Sequence, residues 1–333
     1  MRGFFYDKNN GLKMNDNIEK PDVDLVYLWV DGSDPQWLAR KRAFTGEFDN
    51  TDGNCSARYV DNDELKYSLR SVEKYSPWIR NVFIVTDNQV PDWLNIDNPK
   101  VKIIDHKEIL PPQALPCYNS GVIEYFLYKI SELSEHFLYA NDDMFISQPI
   151  TADFFFASDG LPMIMLCRKR FGNLRIQLKK IFNLHISVHR QTILKAASLA
   201  KNKFGNKSAK YYSDTTHHNI DAYLKSDCRK VVEETFNDEI FEVVTNHLRN
   251  ESDIQRMIFS YCALATNRGH LEYVGRKESC RIRVHKSNYM KFIDRYSPKL
   301  FCLNDDEHAT ESDRKRIRPF LEALFPEKSA FEK

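Results

Sequence analysis

No apolar run in the sequence approaches the ~20 residues that a membrane-spanning helix requires, so no segment of it is expected to span a membrane. The opening residues, MRGFFYDKNNGLKMNDN, hold no apolar stretch long enough for a secretory signal. The expectation is a cytoplasmic protein whose contact with a membrane, if it makes one, is peripheral and runs through residues 160–213. The seven cysteines are odd in number and scattered, with no CxxC pair and no Cys/His zinc spacing. That argues against a disulfide framework or structural zinc and for reduced, buried thiols. Fixed-period repeats are absent, glycine is scarce at 11 residues, and neither GxGxxG nor a P-loop occurs. Solenoids and Walker-type or dinucleotide phosphate cradles are therefore not indicated. Net charge is also nearly absent: 48 Lys+Arg against 47 Asp+Glu give +1, which disfavours a general nucleic-acid binder. One local absence remains. No acidic residue lies between Asp159 and Asp214, and residues 160–213 carry 12 Lys+Arg, leaving 36 cationic against 47 anionic side chains elsewhere, a balance of −11.

What is present is a globular chain, 42% hydrophobic and 29% charged. Short apolar runs at 24–30, 81–86, 101–105 and 136–140 read as buried strands, and 36–44, 62–75 and about 120–134 as helices between them. This alternation predicts an α/β fold with a Rossmann-like, mostly parallel, doubly wound sheet. Beyond Phe155 the pattern changes. A strand is expected at 161–167, helices in the cationic block, helix in two pieces over 219–267, a strand at 281–285 and a charged amphipathic helix at 311–325. The division is a flexible 1–20, an α/β core at 21–155, a basic, mainly helical insert at 156–213, and a helical part at 214–333 that completes the site.

Ligands of such sheets gather beyond strand C-termini, and several candidates sit there. Asn141-Asp142-Asp143 ends the fourth strand, and two adjacent carboxylates with an amide suit a hard divalent cation, Mg²⁺ or Mn²⁺; the competing reading is an Asx turn. After the first strand, Trp29 offers a stacking face, Asp31 an acceptor, and Gly32 close backbone approach. In the segment Arg58–Arg70, Asp61 or Asn62 caps a helix, or Arg58 and Arg70 hold phosphate with Asn62 and Glu64 beside them. His217-His218 offers a general base, Arg249 a phosphate clamp, with Asp253 nearby. Asn304-Asp305-Asp306 supplies a further metal ligand or caps the last helix.

The strings DVDLVYLWVDGSDPQW, RYVDNDELKYSLRSVEKYSPWIRNVFIVTDNQVPDWLN and LSEHFLYANDDMF resemble the Stealth family, which includes bacterial capsule hexose-1-phosphate transferases and the catalytic subunit of the lysosomal-enzyme GlcNAc-1-phosphotransferase. The family's four blocks fall near 23–44, 57–155, 210–265 and 298–331. The resemblance implies a glycosyltransferase-like core and transfer of a hexose 1-phosphate, such as an N-acetylhexosamine 1-phosphate, from a nucleotide diphosphate sugar to a hydroxyl of a glycan or phosphorylated polysaccharide in capsule or cell-surface polysaccharide synthesis. By position it gives catalytic roles to Asp142, Asp143, His218 and Arg249. A metal falls to Asp143 and Asp305, and substrate contacts to Asn141, Asp253 and Asn304, joined by Trp29, Asp31 and Arg58 as nucleotide contacts. Asp31 stands where some relatives have Asn, and His217 directly precedes His218, so the choice of base stays open between the two histidines. The alternatives are a metal-dependent glycosyltransferase that releases nucleoside diphosphate, and a non-catalytic carbohydrate-binding module.

Overall fold

The computed structural model describes residues 21–46, 59–306 and 308–333. In these the strands are β1 (Val23–Leu28), β2 (Val82–Thr86), β3 (Val101–Asp105), β4 (His136–Asn141), β5 (Met144–Ile146), β6 (Met163–Cys167), β7 (Thr215–Thr216), β8 (Asp221–Leu224), β9 (His270–Tyr273), β10 (Ser279–Arg283) and β11 (Leu300–Asn304). The α-helices are α1 (Pro35–Thr45), α2 (Glu64–Tyr75), α3 (His106–Ile109), α4 (Ser120–Tyr125), α5 (Gly172–Ile181), α6 (Val188–Phe204), α7 (Lys225–Lys230), α8 (Asn237–Val243), α9 (Met257–Ala265), α10 (Tyr289–Tyr296), α11 (Glu311–Arg314) and α12 (Ile317–Leu324). None of these helices is long and apolar enough to cross a membrane.

The fold is α/β, with a Rossmann-like main sheet of order β3-β2-β1-β4-β8. β1 to β4 pair in parallel, and β8 closes the edge antiparallel to β4. Strands covered on both faces read as continuous apolar runs, and here successive residues serve opposite faces. Phe83, Val85, Phe137 and Tyr139 enter a core with α4, α6 and α9. Val82, Ile84, Leu138 and Ala140 enter the opposite core with Leu65, Leu69 and Val72 of α2. The chain visits β2 on one side of β1 and β4 on the other. The crevice at this reversal is where α/β sheets bind ligands, and the segments after Leu28 and Asn141, paired in register, open into it.

Two small sheets complete the molecule, with orders β10-β11-β5 and β7-β6-β9. In the first, β11 runs antiparallel to β5, and Phe145 stacks on Phe301 with centroids 4.8 Å apart. This brings the fourth-block strand against the turn that follows β4. In the second, β7 ends just before His217-His218.

Several expected elements change. The helix expected over 120–134 stops at Tyr125, and a 3₁₀ turn over Leu127–Lys129 follows. The region from 219 opens as strand β8, because its side chains alternate between the two cores at the edge of the main sheet. The capping position of α2 is Asp63, in the left-handed region at φ 66, without a side-chain cap; Asp61 accepts from the Asp63 amide instead. The expectation of a flexible 1–20 lies outside the described residues. The six described cysteines are free thiols.

Candidate active site

A cleft of about 210 Å³ opens at the sheet reversal and gathers residues from four distant parts of the chain. Its floor is the turn between β4 and β5. Asp142 and Asp143 sit there because β4 ends at Asn141 and β5 begins at Met144. Asp143 is tied to the fourth-block strand: its carbonyl accepts from the Leu303 amide at 2.9 Å, and its Oδ2 accepts from the Cys302 thiol at 3.2 Å. Its Oδ1 is buried without a hydrogen-bond partner, an arrangement that costs free energy unless a ligand completes it. Burial pushes Asp143 up to about 6, and burial with neighbouring Asp143, Glu64 and Asp61 pushes Asp142 well above the usual carboxylate range. Glu64 is held up at about 8 by burial, despite bonds from the amide and side chain of Asn62. Crowded acids of this kind call for a proton or a cation between them.

His218 and Arg249 face this floor. Both also line a second, smaller pocket next door, with His189, Asp253 and Arg256. His218 lies in the left-handed region at φ 55, unusual for a residue with a side chain and a mark of functional sites. Burial and the nearby His189, Arg281 and Arg256 hold its imidazole well below its ordinary pKa, hence neutral at pH 7. Arg249 donates from Nη2 to Ser120 Oγ at 2.6 Å.

The geometry separates the two histidines. His217 does not line the cleft. It is buried, with Nε2 3.0 Å from Asp221 and Nδ1 3.0 Å from Ser279. From Asp221 a buried chain continues through Arg256 at 2.9 Å to Glu124 at 3.4 Å. Tyr139 then lies 2.9 Å from Glu124 and 2.7 Å from Asn141. The pairing of β8 with β4 sets Asp221 opposite Tyr139 and so links the histidine segment to the acidic turn.

Among the other residues singled out from the sequence, Trp29, Glu64, Asn141, Asn304 and Asp305 line the cleft. Asp305 arrives already compensated, its oxygens accepting from Arg314 at 2.7 and 3.2 Å. Five do not act as expected. Arg70 is buried and paired bidentately with Glu332, at 2.8 and 2.9 Å, so it holds the C-terminus rather than a phosphate. The Asp31 carboxylate turns back onto the amide and hydroxyl of Ser33 and makes a local turn. Asn62 is spent on Glu64. Asp253 ties loops together through Asn119, Asn246 and Asn250, and meets the second pocket only. Gly32 is needed for packing: a Cβ there would fall 2.3 Å from the Tyr59 carbonyl. Arg58 lies outside the described residues.

One wall of the cleft is not marked in the sequence. Trp37, Tyr59 and Tyr118 cluster there, with Trp37 centroids 5.3 and 5.5 Å from the two tyrosines. Aromatic faces of this kind suit a base or a sugar ring. Their spacing in the chain is irregular and carries no pattern that marks them as a group.

Among the described residues, no three His, Cys, Asp or Glu side chains are gathered to hold a metal ion. The unpartnered Asp143 Oδ1 and the adjacent Asp142 nevertheless fit Mg²⁺ or Mn²⁺. Such ions take one or two carboxylates and draw their remaining ligands from water and substrate phosphates.

Comparison with known proteins places the chain among relatives. Family models match three segments: Stealth protein conserved region 1 over 21–49, region 2 over 58–164 and region 4 over 291–333. These correspond to the first, second and fourth blocks read from the sequence. The exopolysaccharide phosphotransferase cps2G of Lactiplantibacillus plantarum is 32% identical, over 94% of this chain and 96% of its own length. The exopolysaccharide phosphotransferase CpsY of Mycobacterium leprae is 34% identical over 94% of this chain, which spans 57% of that longer protein. The solved galactosyltransferase LgtC, in complex with donor and acceptor sugar analogs, aligns with 11% identity and a TM-score of 0.45 over 92% of this chain and 96% of its own, too loosely to argue from. With a whole-length relative above 30% identity and three conserved regions matched in order, the chain belongs to the Stealth family and is a transferase.

Proposed function

We propose that the protein transfers a sugar 1-phosphate from a nucleotide diphosphate sugar to a hydroxyl of a glycan acceptor, in the synthesis of an exopolysaccharide or capsule. The observation that carries this reading is the meeting of Asp143, His218 and Arg249 in one cleft beside an aromatic wall. The names of the phosphotransferase relatives support it.

Phosphoryl transfer needs an activated nucleophile, charge neutralisation and in-line positioning. The neutral imidazole of His218 takes the acceptor hydroxyl proton as the acceptor oxygen bonds to the sugar-bearing phosphorus. The bond from that phosphorus to the bridging oxygen breaks, and its electron pair leaves with the nucleoside monophosphate. Arg249 balances charge on the transferred phosphoryl group, and the aromatic wall of Trp37, Tyr59 and Tyr118 receives the donor's base or sugar. A divalent cation held by Asp143 and Asp142, with Asp305 alongside, would supply Lewis-acid neutralisation of the diphosphate. His217 is a positioning residue, fixed by Asp221 and Ser279 so that the next residue can adopt its left-handed backbone.

The test is a panel of nucleotide diphosphate sugars incubated with Mg²⁺ or Mn²⁺ and a glycan acceptor. Release of nucleoside monophosphate, with a phosphodiester signal in product phosphorus NMR, is expected. Release of nucleoside diphosphate would replace this reading with ordinary glycosyl transfer.

A further inference from the structure

The acid-free stretch holds two helices, α5 and α6, that treat their apolar residues in opposite ways. In α6, Ile193, Ala196, Ala197 and Ala200 are buried, and the three alanines enter the core that α9 shares. In α5 and its flanks the apolar residues face outward. Phe171, Leu174, Leu178, Ile181, Phe182 and Leu184 are 63, 52, 43, 73, 67 and 57% exposed. Through Phe182 they recur at the i, i+3 and i+4 spacing of one helix face. The orientation is fixed from behind. Gly172 is buried so tightly against Ser213 that a Cβ would fall 2.7 Å from its carbonyl oxygen, and Ile176 on that side is half-buried. Cations border the apolar stripe: Arg170 lies over the Phe171 ring at 5.2 Å, and Arg175, Lys179 and Lys180 are exposed, Lys179 also donating to the His185 carbonyl.

We infer that α5 is an in-plane anchor for an anionic lipid surface. A helix with a modest apolar face rimmed by Lys and Arg lies in the headgroup region, where its apolar side chains enter the acyl boundary and its cations meet anionic lipid. The long stems of Arg and Lys let the charges reach headgroups while the stripe is buried. A second copy of the chain is the poorer occupant, because a two-fold contact sets the same patch against itself. Here that would bring a stretch with no acidic residue face to face with its own cations. Lys201, on the neighbouring helix, takes no part: it packs over the Tyr212 ring at 5.2 Å and is half-buried. Val188 and His189, on the wall of the second pocket, follow α5 after one short loop. Under the proposed reaction, docking holds that pocket close to acceptors displayed on the same surface.

The experiment is co-sedimentation of the full chain with vesicles of phosphatidylcholine alone or with one third phosphatidylglycerol, at low and high salt. Vesicle binding is read independently of any transfer, so its failure and the failure of the proposed reaction are distinguishable. The expected result is binding to the anionic vesicles that weakens with salt. Leu178→Asp/Ile181→Asp should lower it by roughly tenfold or more. Arg175→Gln/Lys180→Gln should lower it about 25-fold, roughly fivefold for each cation removed. Far-ultraviolet circular dichroism and turnover on a water-soluble acceptor should stay unchanged in both variants. Absent binding, or binding independent of lipid charge and salt, overturns the inference. So does a wild-type dimer that Leu178→Asp/Ile181→Asp converts to monomer, since the stripe is then an interface between copies.

Discussion

The molecule carries the same tripeptide twice, Asn141-Asp142-Asp143 and Asn304-Asp305-Asp306, each at the end of a strand. The antiparallel pairing of β5 and β11 sets the two beside one another. Their surroundings differ. Burial raises Asp142, Asp143 and Asp305 alike, but among the described residues no salt bridge reaches Asp142 or Asp143. In the second copy Arg314 grips Asp305, and Asp306 lies 3.0 Å from His285 Nδ1. The composition of the triplet therefore does not set its role; the partner that the fold delivers does. An uncompensated buried carboxylate is costly in isolation and is retained where a ligand completes it, whereas a compensated one is already satisfied.

This contrast ranks the effects of substitution. Asp143→Asn should lose on the order of 100-fold or more in transfer, as removal of a transition-state charge partner typically does, with an unchanged circular dichroism spectrum. Asp305→Asn should cost less, on the order of tenfold, and should raise the Mg²⁺ concentration needed for half-maximal rate, as outer ligands do. A titration of rate against Mg²⁺ checks both. The compensated pair at Arg70 and Glu332 extends the contrast to stability. Removing one partner of a buried pair costs roughly 3–5 kcal/mol, so Arg70→Ala should sharply lower Tm in a thermal melt. The KM for donor in the folded protein should stay near wild type, and a selective rise in that KM would return Arg70 to the site.

The smallest effect expected concerns pH. The folded pKa of His218 lies below its unfolded value near 6.5, so the neutral ring is present above that value and is lost only as pH falls through the depressed folded pKa. Because Asp143 at about 6 and Glu64 at about 8 share the cleft and shape any pH-rate profile, the check is an NMR titration of the His218 imidazole: its midpoint should lie well below 6.5, and a midpoint at 6.5 or higher would contradict the neutral base.

The strands β1 to β4 and the acidic turn were legible in the sequence because their signal is local: an apolar run followed at once by polar residues. His218, Arg249, Trp29 and Asn304 were legible as candidates for the same reason or through the resemblance. What failed depended on partners far along the chain. Arg70 looks like a free cation until Glu332, 262 residues away, closes on it. Asp253 looks like a site acid until Asn119 and Asn246 claim it. Strand β8 is too short to declare itself, and the buried chain from His217 to Asn141 exists only because that strand lies against β4. The cationic stretch was visible as charge, yet its division into a covered helix and an uncovered one depends on what packs behind each.

The most direct test compares Asp143→Asn with Asp305→Asn for release of nucleoside monophosphate at saturating donor and acceptor. The Asp143 variant should lose at least about ten times more activity than the Asp305 variant, both folded. Equal losses, or a larger loss at Asp305, would contradict this ranking.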